Sequence, residues 1–296
     1  MARRKTGRGG AGLLVSGSGW PGPPVGFVLR PGGSGALYVA AHLEQAVYAR
    51  GLDSWEAWHR ALASGSTESG RGATAVVAGA PGSRWRVKAM RRGGRLAGIW
   101  RDRYASARRL VATLSASAEA QARGVPTAEP IALIVEAGPH GFARGAMAFT
   151  EIEGSEDLAR RVVRHAATRA DLVAAIGAVR AMHDRGVSHP DLNLGNVLLR
   201  PRAGGSPEVF LIDFDRATFA PGPLPFDSRH AAVRRLERSC AKLTGAPGPL
   251  GPGSEDLWYA TYAGEDADLA RRFARGRPWG RLRLAVHRLG WRRNPP

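Results

Sequence analysis

The sequence predicts an α+β chain of two lobes, strand-rich in its first half and helix-rich in its second. Three observations predict it. Short runs of apolar and β-branched residues, bounded by glycine and proline turns, fall mostly before residue 150. Proline-free stretches with apolar residues at helical spacing dominate after it. Early in the second half, a polar loop carries Asp191 and Asn196, and an apolar strand-like run ends in Asp213, 22 residues beyond Asp191.

The elements follow in order. Residues 1–24 are rich in glycine, proline and arginine and are expected to be a flexible basic segment. A strand-rich lobe is expected over 25–152 and a helical lobe over 153–296. Val25–Leu29 and Ala36–Ala40 read as strands, and Ala41–Arg50 and Ser54–Ala63 as helices. Gly65–Gly72 is a glycine-containing turn. Thr74–Ala78 and Trp85–Met90 form a hairpin through Gly79-Ala-Pro-Gly-Ser83. Tyr104–Arg123 reads as a long helix stopped by Gly124 with Pro126 beyond. Ile131–Val135 and Gly145–Thr150 are strands; Asp157–Arg164 and Asp171–Arg185 are helices, the latter ending at Gly186. Val197–Leu199 and Val209–Ile212 are strands around the loop Arg202–Ser206, and proline-interrupted helices complete the chain.

The polar loop His189-Pro-Asp191-Leu-Asn193-Leu-Gly-Asn196 has the spacing of the kinase catalytic loop H-R-D-L-x-x-x-N, and Asp213-Phe214-Asp215 stands where D-F-G would. The residue types suit phosphoryl transfer, in which a protein mainly positions groups and neutralises charge. Asp191 would receive or orient the proton of the attacking hydroxyl. Asn196 and Asp213 would hold Mg2+ on the nucleotide phosphates, because hard cations take oxygen ligands. Gly70-Arg71-Gly72 offers a loop that could approach phosphate closely. Lys88, in a strand sixteen residues later, suits the phosphate-pairing cation. The helix that should supply its acidic partner has one carboxylate, Glu119, late in the segment. Glu151 falls where a hinge would meet adenine, with its backbone doing the binding.

Net charge is +18 and pI near 11.4, which points to an anionic partner such as a phosphorylated glycolipid or an acidic membrane surface. Aromatic residues are 7% and scattered, so no stable nucleic-acid partner is expected. Cys240 is the single cysteine, which excludes an internal disulfide and a thiolate cluster and fits a reducing cytoplasm. The basic N-terminus lacks a signal-peptide pattern, and no apolar run is long enough to span a bilayer.

Together these residues resemble a known family, the lipopolysaccharide core kinases, and most of all the 3-deoxy-D-manno-octulosonic acid (Kdo) kinases. The resemblance is carried by Gly70–Thr74, Val87–Gly94, Asp102-Arg-Tyr104, Gly124-Val-Pro126, Asp191–Leu199, Leu211–Arg216 and Arg234–Ser239. Asp215-Arg216 after Phe214 and the Arg91-Arg92-Gly93-Gly94 run are its most specific parts. The resemblance implies a protein kinase-like two-lobed fold, ATP and Mg2+, and phosphorylation of a Kdo hydroxyl on a lipid A precursor at the cytoplasmic face of the inner membrane. It also implies a helix glutamate near Thr113, where this chain has none. Two alternatives stand beside it. One is a small-molecule phosphotransferase of aminoglycoside type, whose loop is similar but whose cationic substrate fits poorly with +18. The other is an inactive pseudokinase or basic binding module, against which Lys88, Asp191, Asn196 and Asp213 are all present. Pro190 replaces the loop arginine of phosphorylation-regulated protein kinases.

Overall fold

Glycine turns between apolar runs fold the first part of the chain into an antiparallel sheet. The computed structural model describes residues 19–64, 74–90, 104–138, 142–245, 248–251 and 253–275. The sheet comprises β1 (Phe27–Gly32), β2 (Gly35–Ala40), β3 (Thr74–Ala78), β4 (Arg84–Ala89), β5 (Pro130–Ala137) and β6 (Ala143–Thr150). Its order is β1-β2-β5-β6-β4-β3. Side chains alternate across a strand, so β2 serves two cores at once. Leu37 and Val39 join Val47 and Trp58, from α1 (Glu44–Ala49) and α2 (Trp55–Ala63). Ala36 and Tyr38 join Leu110, Val111 and Leu114 from α3 (Ala107–Ala122). Gly35 lets β2 pass close to β5: a Cβ there would lie 2.6 Å from the Val135 carbonyl oxygen.

The chain divides into two compact units, Met1–Ser115 with Pro130–Thr150, and Ala116–Glu129 with Glu151–Pro296. The second unit is mainly helical. After β7 (Glu156–Asp157) come α4 (Leu158–Val163), α5 (Arg169–Asp184) and β8 (Val187–Ser188). Then follow β9 (Val197–Arg200), β10 (Glu208–Leu211), β11 (Thr218–Phe219), α6 (Phe226–Thr244) and α7 (Asp256–Ala263), with a last helical segment over 267–275. A reciprocal cap fixes the start of α5: the Thr168 hydroxyl accepts from Asp171 N and the Asp171 carboxylate accepts from Thr168 N. Arg161 donates to the same carboxylate at 2.9 Å, which offsets the cost of burying it. One apolar cluster runs through α4, α5, α6, α7, β9 and β10. A strand-rich unit followed by a helical one, with the polar loop in the latter, is a protein kinase-like α+β fold.

Several boundaries differ from expectation for physical reasons. β1 runs through Pro31 to Gly32, beyond Leu29, because it is an edge strand and needs no N–H there. Val25 lies outside it, almost fully exposed. Ala41–Arg50 is not one helix but a 3-10 turn, Ala41–Leu43, followed by α1. Tyr104 precedes α3; it exchanges backbone hydrogen bonds with Ala143 instead. β7, β8 and β11 have two residues each, too short to leave a sequence period. Residues 1–18, the Gly65–Gly72 turn (Gly70, Arg71 and Gly72 included), Arg91–Gly94 and Asp102-Arg103 lie outside the described residues. Among the described residues, no helix is long and apolar enough to cross a membrane.

Candidate active site

α5 stops at Gly186, whose φ of 73° brings its backbone against Ala220 and Gly222; a Cβ would lie 2.5 Å from both carbonyl oxygens. Ala220 N donates back to Gly186 O, and β8 pairs with β11, so the chain on either side of the polar loop is tied down. His189 follows, 1% exposed. Its Nε2 lies 2.9 Å from Ile212 O and its ring centroid 5.0 Å from that of Phe214. A carbonyl only accepts, so Nε2 carries the proton. This bond fixes the start of the loop to the residue before Asp213.

The loop is then shaped by asparagines. Asn193 Nδ2 and Asn196 Nδ2 both donate to the backbone oxygen of Asp191, at 2.9 and 3.0 Å. Asn193 Oδ1 accepts from Gly195 N at 2.9 Å and so caps the 3-10 turn Leu194–Asn196. Leu194 N donates to Ser239 Oγ on α6 at 3.2 Å. All these bonds use the Asp191 backbone or its neighbours, and the Asp191 side chain is exposed. β9 starts at Val197, paired with Leu211, the last residue of β10. Ile212 N donates to Asn196 O at 3.0 Å, which places Asn196 and Asp213 at one end of that ribbon.

Asp213 has φ 68° and Arg216 φ 63°, left-handed values that are uncommon for residues other than glycine. Phe214 between them is 1% exposed and anchors the turn, leaving Asp213 exposed. Held backbone strain of this kind clusters at functional sites. Because Asn196 Nδ2 is taken by the Asp191 carbonyl, the amide oxygen is the end left for a ligand. Asn196 and Asp213 thus offer oxygen donors of the kind a hard cation takes. No cluster of three or more His, Cys, Asp or Glu side chains suited to a metal is present among the described residues. A pair of oxygen donors suits Mg2+, which completes its shell with phosphate and water rather than a protein cage.

The other expected residues are carried by other elements. Lys88, on β4, is opposite Thr74 of β3 and Met147 of β6. Directly opposed residues share a face, and Met147 packs with Leu110 and Leu114, so Lys88 is on the face that α3 covers. Thr113 stands on that helix where the resemblance implies a glutamate, with its hydroxyl 3.2 Å from Arg109 O. Glu119 is paired at 2.7 Å with Arg123, four residues on and just past the end of α3. Glu151 directly follows β6, at the junction of the two units. Sequence reasoning assigned no role to His189, Asn193 or Ser239, although all three hold the loop. Two asparagines three residues apart, Asn193 and Asn196, were the available signal.

Two buried histidines make this region pH-sensitive. His183 Nδ1 lies 2.7 Å from Tyr262 Oη. His183 Nε2 and His189 Nδ1 are buried without a hydrogen-bond partner among the described residues. Burial pushes the His183 pKa from 6.5 down to about 3, and pushes His189 below its ordinary value. The unfolded chain therefore binds protons first as pH falls below 6.5. The stability concerned is complete above that pH and is lost progressively as pH falls from 6.5 towards about 3. Urea midpoints are expected to fall below pH 6.5, His183 contributing a slope of about 1.4 kcal/mol per pH unit. His183→Gln should flatten that slope; an unchanged slope in the variant would contradict the assignment.

Comparison with known proteins gives a consistent picture. A family model described as lipopolysaccharide kinase (Kdo/WaaP) family matches residues 54–246. A 3-deoxy-D-manno-octulosonic acid kinase of Mannheimia succiniciproducens is 29% identical over 155 residues, 51% of this chain and 63% of that enzyme. One of Xylella fastidiosa is 31% identical over 194 residues, 64% of this chain and 74% of that enzyme. The solved structure of WaaP in complex with acyl carrier protein is 20% identical, with a TM-score of 0.45, covering 77% of this chain and 93% of that one. With a family match over well more than half of its residues, the chain belongs to the lipopolysaccharide kinase (Kdo/WaaP) family and is an ATP-dependent phosphotransferase.

Proposed function

We propose that this protein transfers the terminal phosphoryl group of ATP to a hydroxyl of a Kdo sugar in the lipopolysaccharide inner core, carried on a lipid A precursor. The observation that supports the reading most is the convergence of Asp191, Asn196 and Asp213 on two joined loops. Asn196 donates to Asp191 O at 3.0 Å and accepts from Ile212, the residue before Asp213. The names of curated relatives at about 30% identity support the sugar. A net charge of +18 suits an acidic glycolipid held at an anionic membrane surface, which favours work at the cytoplasmic face of the inner membrane.

In this reading the exposed Asp191 carboxylate accepts the proton of the attacking hydroxyl as its oxygen bonds to the γ-phosphorus and the bond from that phosphorus to the β,γ-bridging oxygen breaks, releasing ADP. Lys88 neutralises nucleotide phosphate charge, and Gly70, Arg71 and Gly72 are the residues this reading assigns to phosphate binding. The backbone at Glu151 meets the adenine. Asn196 and Asp213 would hold Mg2+, which when bound supplies charge neutralisation at the phosphates. The test is incubation of purified protein with Mg2+, ATP and a Kdo-bearing lipid A precursor, followed by mass analysis of the lipid. A gain of one phosphate on the Kdo-bearing lipid is expected; phosphate transfer to an aminoglycoside, with none to this lipid, would replace the reading.

A further inference from the structure

One face of α6 carries a basic cluster that the mechanism above does not use. Arg234, Arg235, Arg238 and Lys242 fall within about 100° of one another on a helix of 3.6 residues per turn. The opposite face, with Val233, Leu236 and Cys240, is buried in the core. Arg234, Arg235 and Arg238 are half-buried, yet among the described residues no carboxylate lies within ion-pair distance of any of them. Arg229, earlier on the same helix, is paired with Asp184, and Glu237 within the cluster turns inward to accept from Tyr259 Oη at 2.7 Å. Burial, and then the charges of Arg234 and Arg235, lower the Arg238 pKa from its ordinary value, so the cluster repels itself. Half-buried guanidinium groups without partners are stabilised by an oxyanion, which they hold in bidentate fashion.

The cluster borders the catalytic loop. Ser239, next to Arg238, accepts the Leu194 N–H of that loop. We propose that this α6 face, chiefly Arg235 and Arg238, binds an oxyanion of the acceptor glycolipid, its sugar-acid carboxylate or a lipid phosphate, and so orients the acceptor towards Asp191. The proposal rests on the Kdo kinase reading and deepens it: that reading assigns Lys88 to the nucleotide phosphates, and the α6 set is assigned here to the acceptor.

The experiment is steady-state kinetics of the wild type, Arg235→Ala, Arg238→Ala and the double variant on a Kdo-bearing lipid A precursor in neutral detergent micelles, with thermal midpoints to check folding. Each single change should raise the acceptor KM about tenfold to a hundredfold, as expected for loss of a charge-assisted hydrogen bond. The ATP KM should stay unchanged, and lysine substitutions should rescue only in part. A carboxyl-methylated acceptor separates the two sources of the oxyanion. If it binds wild type as weakly as the double variant does, the carboxylate is the group held; if only the variants weaken, the lipid phosphate is. A folded double variant with unchanged acceptor KM, or with acceptor and ATP KM raised equally, overturns the proposal. So does a loss confined to binding of phosphatidylglycerol vesicles, which would make the face a membrane contact. If wild type transfers no phosphate to this lipid, the Kdo reading fails by itself. The α6 proposal is then decided by direct binding of the same micellar lipid: binding that the double variant loses supports it, and equal or absent binding overturns it.

Discussion

Asp191→Asn is expected to lower phosphotransfer by about a hundredfold to ten-thousandfold, the range for loss of a positioned general base. The fold should be untouched, because the loop's hydrogen bonds from Asn193 and Asn196 end on the Asp191 backbone oxygen, not on its carboxylate. The side chain is exposed, so no buried charge is stranded by the change. The measurement is kcat alongside the thermal midpoint. Turnover within a few-fold of wild type would remove Asp191 from the chemistry. A collapsed midpoint would instead mean that the carboxylate holds the loop.

Asp213→Asn is expected to be as damaging to activity, about a hundredfold or more, because a neutral amide neither attracts nor holds a divalent cation as a carboxylate does. The choice of asparagine matters. Asp213 has φ 68°, a conformation asparagine tolerates, whereas alanine there would cost roughly 1 kcal/mol of backbone strain. Asp213→Gly, which adopts this φ without strain, should likewise be inactive, separating strain from chemistry. Raising the Mg2+ concentration should recover part of the Asp213→Asn rate and none of the Asp191→Asn rate. Equal response of both variants to Mg2+ would contradict the separate roles proposed for the two carboxylates.

Much of this was legible in the residues. The β3–β4 hairpin was readable because Gly79-Ala-Pro-Gly-Ser83 separates two strand-forming runs, and the structure closes it with Gly79 N to Ser83 O at 3.0 Å. α5 was readable from its apolar spacing and the glycine behind it. The β9–β10 pairing that joins the Asn196 loop to the segment ending in Asp213 was readable because two apolar runs flank a short polar loop. The rest depends on contacts between distant segments. Nothing near His189 says that its ring will reach Ile212, and nothing near Ser239 says that it will cap Leu194 N across the core. Glu119 is the one carboxylate on α3, and only the fold shows that Arg123 at i+4 pairs with it. The two-residue strands β7, β8 and β11 exist only because their partners are present, a purely tertiary effect.

The most direct test of the central claim is transfer of labelled γ-phosphate from ATP to two lipid A precursors that differ only in the presence of Kdo, using wild type and Asp191→Asn side by side. The account predicts label on the Kdo-bearing lipid alone, and its loss in the variant. Label on both lipids equally, or label that persists in a folded Asp191→Asn protein, would contradict it.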